Sequence, residues 1–143
     1  MPQLNDIDRE MAPYEEKLRE AGQFVTVQRR ALLRYLLRHR IHPTTTQIAK
    51  AVGKSRSASP ATVYNNLALF ASLDLVRAVR SPDGETHWDV RTDAHHHLSC
   101  TSCGCVLDID YGSAEVRLHD RKLARRVEHA HVWLAGICPF CDS

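Results

Sequence analysis

The sequence predicts an α+β chain: an N-terminal winged helix-turn-helix domain, residues 1–91, followed by a small C-terminal α/β domain, residues 92–143. Three observations carry this expectation. Apolar residues recur at helical spacing through the first half, then give way near residue 75 to two strand-like runs around a turn signal. Charge is segregated: residues 24–80 hold ten basic side chains against one acid, Asp74, whereas residues 1–23 carry −3 and residues 81–143 carry −4. All five cysteines lie between Cys100 and Cys141, and seven of the nine histidines lie at or after His87.

The elements follow in chain order. Pro13 to Ala21 predicts a short lead helix stopped by Gly22. Thr26 caps the next helix, in which Leu32, Leu33, Leu36 and Leu37 share a face up to about Arg38. His42-Pro43 breaks the chain. A short helix from Thr45 to Val52 buries Ile48, Ala49 and Val52, with Gly53 as its stop. Ser59-Pro60, a capping hydroxyl before a proline, opens a helix that buries Val63, Leu67, Phe70 and Ala71. Strands at Leu75–Arg80 and Glu85–Val90 flank the turn Ser81-Pro82-Asp83-Gly84. Beyond them, Val116, Leu123 and Val127 suggest a helix within Tyr111–Glu128, and residues 130–137 read as a strand. That second unit has little core of its own, which pairing with a second subunit would remedy.

A helix-turn-helix with a +9 segment around it suits double-stranded DNA. The helix opening at Ser59 would enter the major groove by its N-terminal residues. Candidate contacts are Arg29, Ser59, Thr62, Tyr64 and Asn65. A tyrosine can meet a thymine methyl group, and an asparagine can pair with adenine. No apolar run approaches the ~18 residues of a membrane span. The segment Met1–Asp6 lacks the basic start and apolar stretch of a secretory signal. A cytoplasmic protein with no membrane partner is therefore expected.

Two CxxC pairs, Cys100/Cys103 and Cys138/Cys141, supply the four thiolates of a structural Zn²⁺ site. Disulfides or a redox CxxC are the rivals, disfavoured by a reducing compartment and by the matched pairs. Cys105 is left over as a buried or reactive thiol. Asp89, His95, His97 and Asp108, with His42 as a fifth ligand, form a mixed imidazole and carboxylate set suited to Fe²⁺, Mn²⁺ or Zn²⁺. The same Asp89, His95 and His97 would serve a non-haem iron enzyme. That reading leaves the basic helical half without a purpose, so no enzyme is expected.

Together these residues resemble the Fur family of metal-dependent bacterial repressors. The resemblance runs from about Leu18 to Cys141. It rests on Thr26-x-Gln28-Arg29, His42-Pro43-Thr44, Ala61-Thr62-Val63-Tyr64-Asn65-Asn66-Leu67, His95-x-His97-Leu98-x-Cys100-x-x-Cys103-Gly104 and Gly136-x-Cys138-x-x-Cys141. It implies a homodimer that binds an AT-rich inverted repeat with a metal co-repressor. Asn65 after Tyr64, and Asp108 after the first CxxC, resemble the peroxide-sensing branch. The resemblance then implies regulatory Fe²⁺ or Mn²⁺ at His42, Asp89, His95, His97 and Asp108, with His42 and His95 as the oxidation-sensitive ligands. An iron, manganese or zinc sensor indifferent to peroxide is the alternative. Departures include Phe24 in place of an arginine, Thr45-Thr46 after the His-Pro-Thr, and His87 where arginine is usual. A further metal site from His87, His96, Glu115, His129 and His131 is therefore a candidate as well.

Overall fold

The computed structural model describes residues 4–40, 42–56, 59–120, 122, 126–127 and 130–142. They fall into two compact units, Met1–Thr92 and Asp93–Ser143.

The first unit holds four helices, α1 (Leu4–Glu20), α2 (Val27–Arg38), α3 (Thr45–Arg56) and α4 (Pro60–Ser72), and an antiparallel hairpin, β1 (Arg77–Arg80) and β2 (Thr86–Asp89). Helices α2 to α4 with the hairpin make a winged helix-turn-helix. A bridge between Thr44 and His87 ties the entry of α3 to the wing. The core is a single apolar cluster drawn from every helix, including Leu33 and Leu36 of α2, Ile48 of α3 and Leu67 and Phe70 of α4.

Each start signal is local chemistry. The Thr26 hydroxyl accepts the Arg29 N–H at 3.2 Å, and the Ser59 hydroxyl accepts the Thr62 N–H at 3.2 Å. At α3, Thr44 and Gln47 cap one another. The Gln47 N–H donates to Thr44 Oγ1 at 3.2 Å, and the Thr44 N–H donates to Gln47 Oε1 at 2.9 Å. Helix α1 ends in a Schellman turn: Gln23 N–H reaches the Leu18 carbonyl, Gly22 N–H reaches that of Arg19, and Gly22 has φ +73°.

Three expectations need correction. The lead helix does not begin at Pro13 but runs through it from Leu4. Ile7, Met11 and Leu18 form one buried stripe along α1. A mid-helix proline costs about 3 kcal/mol. Burying a large apolar side chain returns about 1.5–3 kcal/mol, so two such residues ahead of Pro13 outweigh the break. Helix α3 passes Gly53 and ends at Arg56. Gly53 is not among the glycines with positive φ, and a stop of this kind requires that conformation. Third, the helix expected within Tyr111–Glu128 is absent among the described residues; one 3-10 turn spans Tyr111–Ser113. Val116 and Val127 are mostly exposed, and a short helix that buries little apolar surface is marginal in water. Leu123 lies outside the described residues.

The second unit is a three-stranded sheet in the order β4-β3-β5, with β3 (His96–Cys100), β4 (Val106–Ile109) and β5 (Trp133–Gly136). Central β3 runs antiparallel to β4 and parallel to β5. Among the described residues no helix is long and apolar enough to cross a membrane.

Met11→Ala should lower stability by about 2–5 kcal/mol, read as a fall in the urea midpoint of the full chain. An unchanged midpoint would mean that the segment before Pro13 does not pack as a helix.

Candidate DNA-facing helix and metal centres

Helix α4 presents Thr62, Tyr64 and Asn65 to solvent, beside the capping Ser59. Tyr64 is half exposed, and its ring meets that of Trp88 edge-on at 5.9 Å. Trp88 is buried in the wing; its indole N–H donates to Thr45 Oγ1 at 2.9 Å and its backbone N–H to the Pro43 carbonyl. One tryptophan thus fixes the wing, the start of α3 and the outward Tyr64. Arg29 is already engaged. Its Nε donates to Asn66 Oδ1 at 3.1 Å and its Nη1 to the Phe24 carbonyl at 2.7 Å, so it joins the start of α2 to α4.

The first unit carries two of the predicted regulatory ligands. His42 Nε2 lies 3.0 Å from Asp89 Oδ2, and both side chains are buried. His42 has φ +55°, a left-handed conformation strained for a residue other than glycine. His87 Nδ1 is 2.7 Å from the His42 carbonyl, so the imidazole of β2 donates there and steadies that backbone. Asp89 Oδ1 accepts the Arg91 N–H at 2.8 Å.

The second unit carries the other three. The β3–β4 register sets His97 directly opposite Asp108. Asp108 Oδ1 lies 2.9 Å from His95 Nε2 and 3.7 Å from His97 Nε2, and the two imidazole rings are 4.6 Å apart. His95 Nδ1 sits 2.7 Å from the Asp93 carbonyl, so Nδ1 carries the proton and Nε2 keeps its lone pair for an ion. His97 Nδ1 is 2.8 Å from His131 Nε2. With His97 Nδ1 as the donor of that contact, Nε2 would keep its lone pair for an ion. Sequence reasoning placed His131 in a further metal site and missed this positioning contact, because nothing local to residues 130–132 signals which β3 residue they lie beside.

Of the described members of the further set, His96 and His131 stack at 6.4 Å, and His96 and Glu115 line one cavity of the second unit, without forming a cluster at ligand spacing. His96 Nδ1 accepts the Val132 N–H at 3.0 Å, and its ring stacks on Tyr111. Glu115 pairs with Arg117 at 2.8 Å. His131 also lies 2.8 Å from His97 Nδ1. His87 belongs to the first unit, where it holds the His42 carbonyl. His129 lies outside the described residues.

The cysteines close round the end of β3. The Sγ atoms of Cys100, Cys103, Cys105 and Cys138 all lie within 4.8 Å of one another. Cys103 and Cys138 are 3.8 Å apart. A tetrahedron with Zn–S of about 2.3 Å has an S···S edge of about 3.8 Å, so the spacing and the all-sulfur donor set fit Zn²⁺. The buried Cys100 Sγ accepts N–H bonds from Cys103 at 3.5 Å and Cys138 at 3.3 Å. Those donors, Cys103 first, pull its pKa down to about 6. Cys105 is pushed up to about 12, by burial first and then by the Cys103 and Cys138 sulfurs. Cys141 rises to about 12 through its contact with the Cys138 sulfur above all. Thiols crowded in this way give up their protons when a divalent cation supplies the missing charge. Cys105 was set aside in the sequence as an unassigned thiol. The clue was its place just past Gly104, whose φ of +75° turns the chain back toward Cys100.

Comparison with known proteins agrees with the motifs. The family model described as the ferric uptake regulator family matches residues 20–135. The peroxide-responsive repressor PerR of Staphylococcus epidermidis is 32% identical over 144 residues, covering 99% of this chain and 96% of that protein. A solved structure concerned with peroxide sensing and gene regulation by PerR from Streptococcus pyogenes is similar at TM-score 0.53 and 28% identity, over 91% of each chain. The Helicobacter pylori ferric uptake regulator Fur, reported with three functional metal binding sites, is similar at TM-score 0.71 over 100% of this chain and 98% of that one. At 15% identity, that last likeness concerns the fold alone.

Replacing His131 by Phe removes the ring nitrogen that lies 2.8 Å from His97 Nδ1. Outer-sphere partners of this kind are worth about 10–100-fold in metal affinity. Mn²⁺ affinity, measured by competition with a fluorescent chelator, should fall by that factor. Unchanged affinity would show that His131 does not position His97.

Proposed function

The chain belongs to the ferric uptake regulator family, and we propose that it is a metal-dependent, homodimeric transcriptional repressor that senses peroxide in the cytoplasm. The observation that carries this reading is the meeting of His95, His97 and Asp108 on adjacent strands, with both imidazole Nε2 atoms turned to one carboxylate oxygen. Two imidazoles and a carboxylate suit Fe²⁺ or Mn²⁺. Three ligands leave either ion short of its usual coordination. His42 and Asp89, paired in the first unit, are the proposed remainder of the set. An ion that takes ligands from both units favours whichever arrangement offers all five, and it shifts the population only by its preference for that arrangement.

The DNA-reading role falls to α4, with Ser59, Thr62, Tyr64 and Asn65 as base or phosphate contacts and Arg29 holding the helix in place. The proposed target is an AT-rich inverted repeat, whose symmetry would match a dimer. Leu134 and Ile137, at and just beyond β5, are apolar and exposed; a second copy of the chain is the proposed cover. The proposed structural ion is Zn²⁺ in the cysteine cluster.

Fe²⁺ held by these residues would supply the electrons that reduce peroxide, next to the ligand imidazoles. Mn²⁺ binds the same donors and reacts far less with peroxide. The chain's part is to hold His42 and His95 as the ligands that are modified. His95 is held on both sides, by the Asp93 carbonyl and by Asp108, so its ring stays beside the ion. An oxidised imidazole is a poorer donor, and its loss would release the regulatory ion.

Peptide mass spectrometry after a brief peroxide pulse tests this reading. Fe²⁺-loaded protein should gain one oxygen on the His42 or His95 peptide, and Mn²⁺-loaded protein should not. Unmodified histidines with iron would overturn the peroxide reading and leave a metal sensor. Oxidation confined to cysteines would replace it with a thiol switch.

A further inference from the structure

A closed structural zinc site takes four thiolates, and this fold brings five thiols to one place. Cys100, Cys103, Cys105 and Cys138 form the mutual cluster within 4.8 Å. The second CxxC pair of the sequence offers Cys141 in place of Cys105, three residues past Cys138, although its sulfur is not part of that mutual cluster. Three sulfurs are common to both arrangements. Cys100 and Cys138 are buried, and Cys103 stands at the tetrahedral edge distance from Cys138. The two that differ sit on separate pieces of backbone. Cys105 is fixed by the sheet: its carbonyl accepts the Cys100 N–H at 2.9 Å, just past the turn at Gly104. Cys141 sits on the turn after β5, where its N–H donates to the Cys138 carbonyl at 3.0 Å. Each backbone position is therefore built independently of the other, and both thiols are half-buried.

We propose that Cys105 and Cys141 are interchangeable fourth ligands of the zinc held by Cys100, Cys103 and Cys138. The inference rests on the structural-zinc reading above and deepens it. Exchange moves one proton from the entering thiol to the departing thiolate and involves no oxidation. It leaves one of the two thiols uncoordinated in the loaded protein, and the ion survives the loss of either.

The test uses the full-length dimer with Co²⁺ in place of Zn²⁺, because the sulfur-to-cobalt charge-transfer band grows with the number of thiolates bound. Zinc retained after a fixed EDTA challenge is the second readout. Cys105→Ser and Cys141→Ser should each keep the four-thiolate spectrum and wild-type zinc content. The double variant should fall to the three-thiolate spectrum, lose about a quarter of the band, and release its zinc to EDTA. A three-thiolate spectrum in Cys141→Ser alone would overturn the proposal, with Cys105 no substitute. The same spectrum in Cys105→Ser alone would overturn it from the other side. Should the double variant fail to fold, the two single variants still decide. A wild-type chain that binds neither zinc nor cobalt through sulfur would refute the zinc reading itself, an outcome distinct from either single-variant failure.

Discussion

Five residues of one strand carry the second unit. Strand β3 is the middle of its sheet, so both edges hydrogen-bond to it and its register fixes theirs. His97 lies across from Asp108 on one side and Trp133 on the other, while Cys100 lies across from Gly136, two residues before Cys138. At about 3.3 Å per residue, the imidazoles and the thiolates stand roughly 10 Å apart along the strand. The sulfur cluster clamps β5 to β3 at one end, and the His/Asp cluster joins β4 to β3 at the other. Sheets of short strands are weak by themselves. A unit with so little apolar core needs such a staple, as small domains in general do. The geometry of the imidazole site is in this sense downstream of the cysteines.

The first unit solves a different problem. Its core is a conventional apolar cluster, and what matters for function is that one buried residue, Trp88, touches three elements. It bonds to Thr45 at the head of α3, to Pro43 in the break before it, and packs against Tyr64 on α4. His42 lies in that same break, and Asp89 follows Trp88 directly. The proposed ligands of this unit are therefore built into the segments that position α4, the helix proposed to read DNA. A force applied at His42 or Asp89 would be felt at the wing without a long chain of intermediates.

Most of this was legible in the sequence because the signals were local. Thr26 and Ser59 cap helices wherever they occur before such runs, and Ser81 to Gly84 turns a hairpin. The His95-x-His97 and Cys100-x-x-Cys103 spacings marked two candidate metal-binding groups. What failed to be legible depended on distant packing. Pro13 reads as a start until Ile7 and Met11 are seen buried ahead of it. Gly53 reads as a stop, but its own backbone never leaves the helical region. Val116 and Val127 keep a helical period but stay mostly exposed. The contacts of His131 with His97 and of Cys105 with Cys100 were not legible, since the sheet register that makes them is not written in either neighbourhood.

The central claim is that a divalent ion at the imidazole and carboxylate ligands governs the DNA-reading helix. The most direct measurement is the affinity of the zinc-containing dimer for an AT-rich inverted-repeat duplex, by fluorescence anisotropy at fixed salt, with Mn²⁺ and with Mn²⁺ chelated. A coupling of about 1–3 kcal/mol predicts affinity ~5–150-fold tighter with the ion present, and His95→Ala should abolish the difference. Equal affinity in both conditions, or an undiminished response in His95→Ala, would contradict the account.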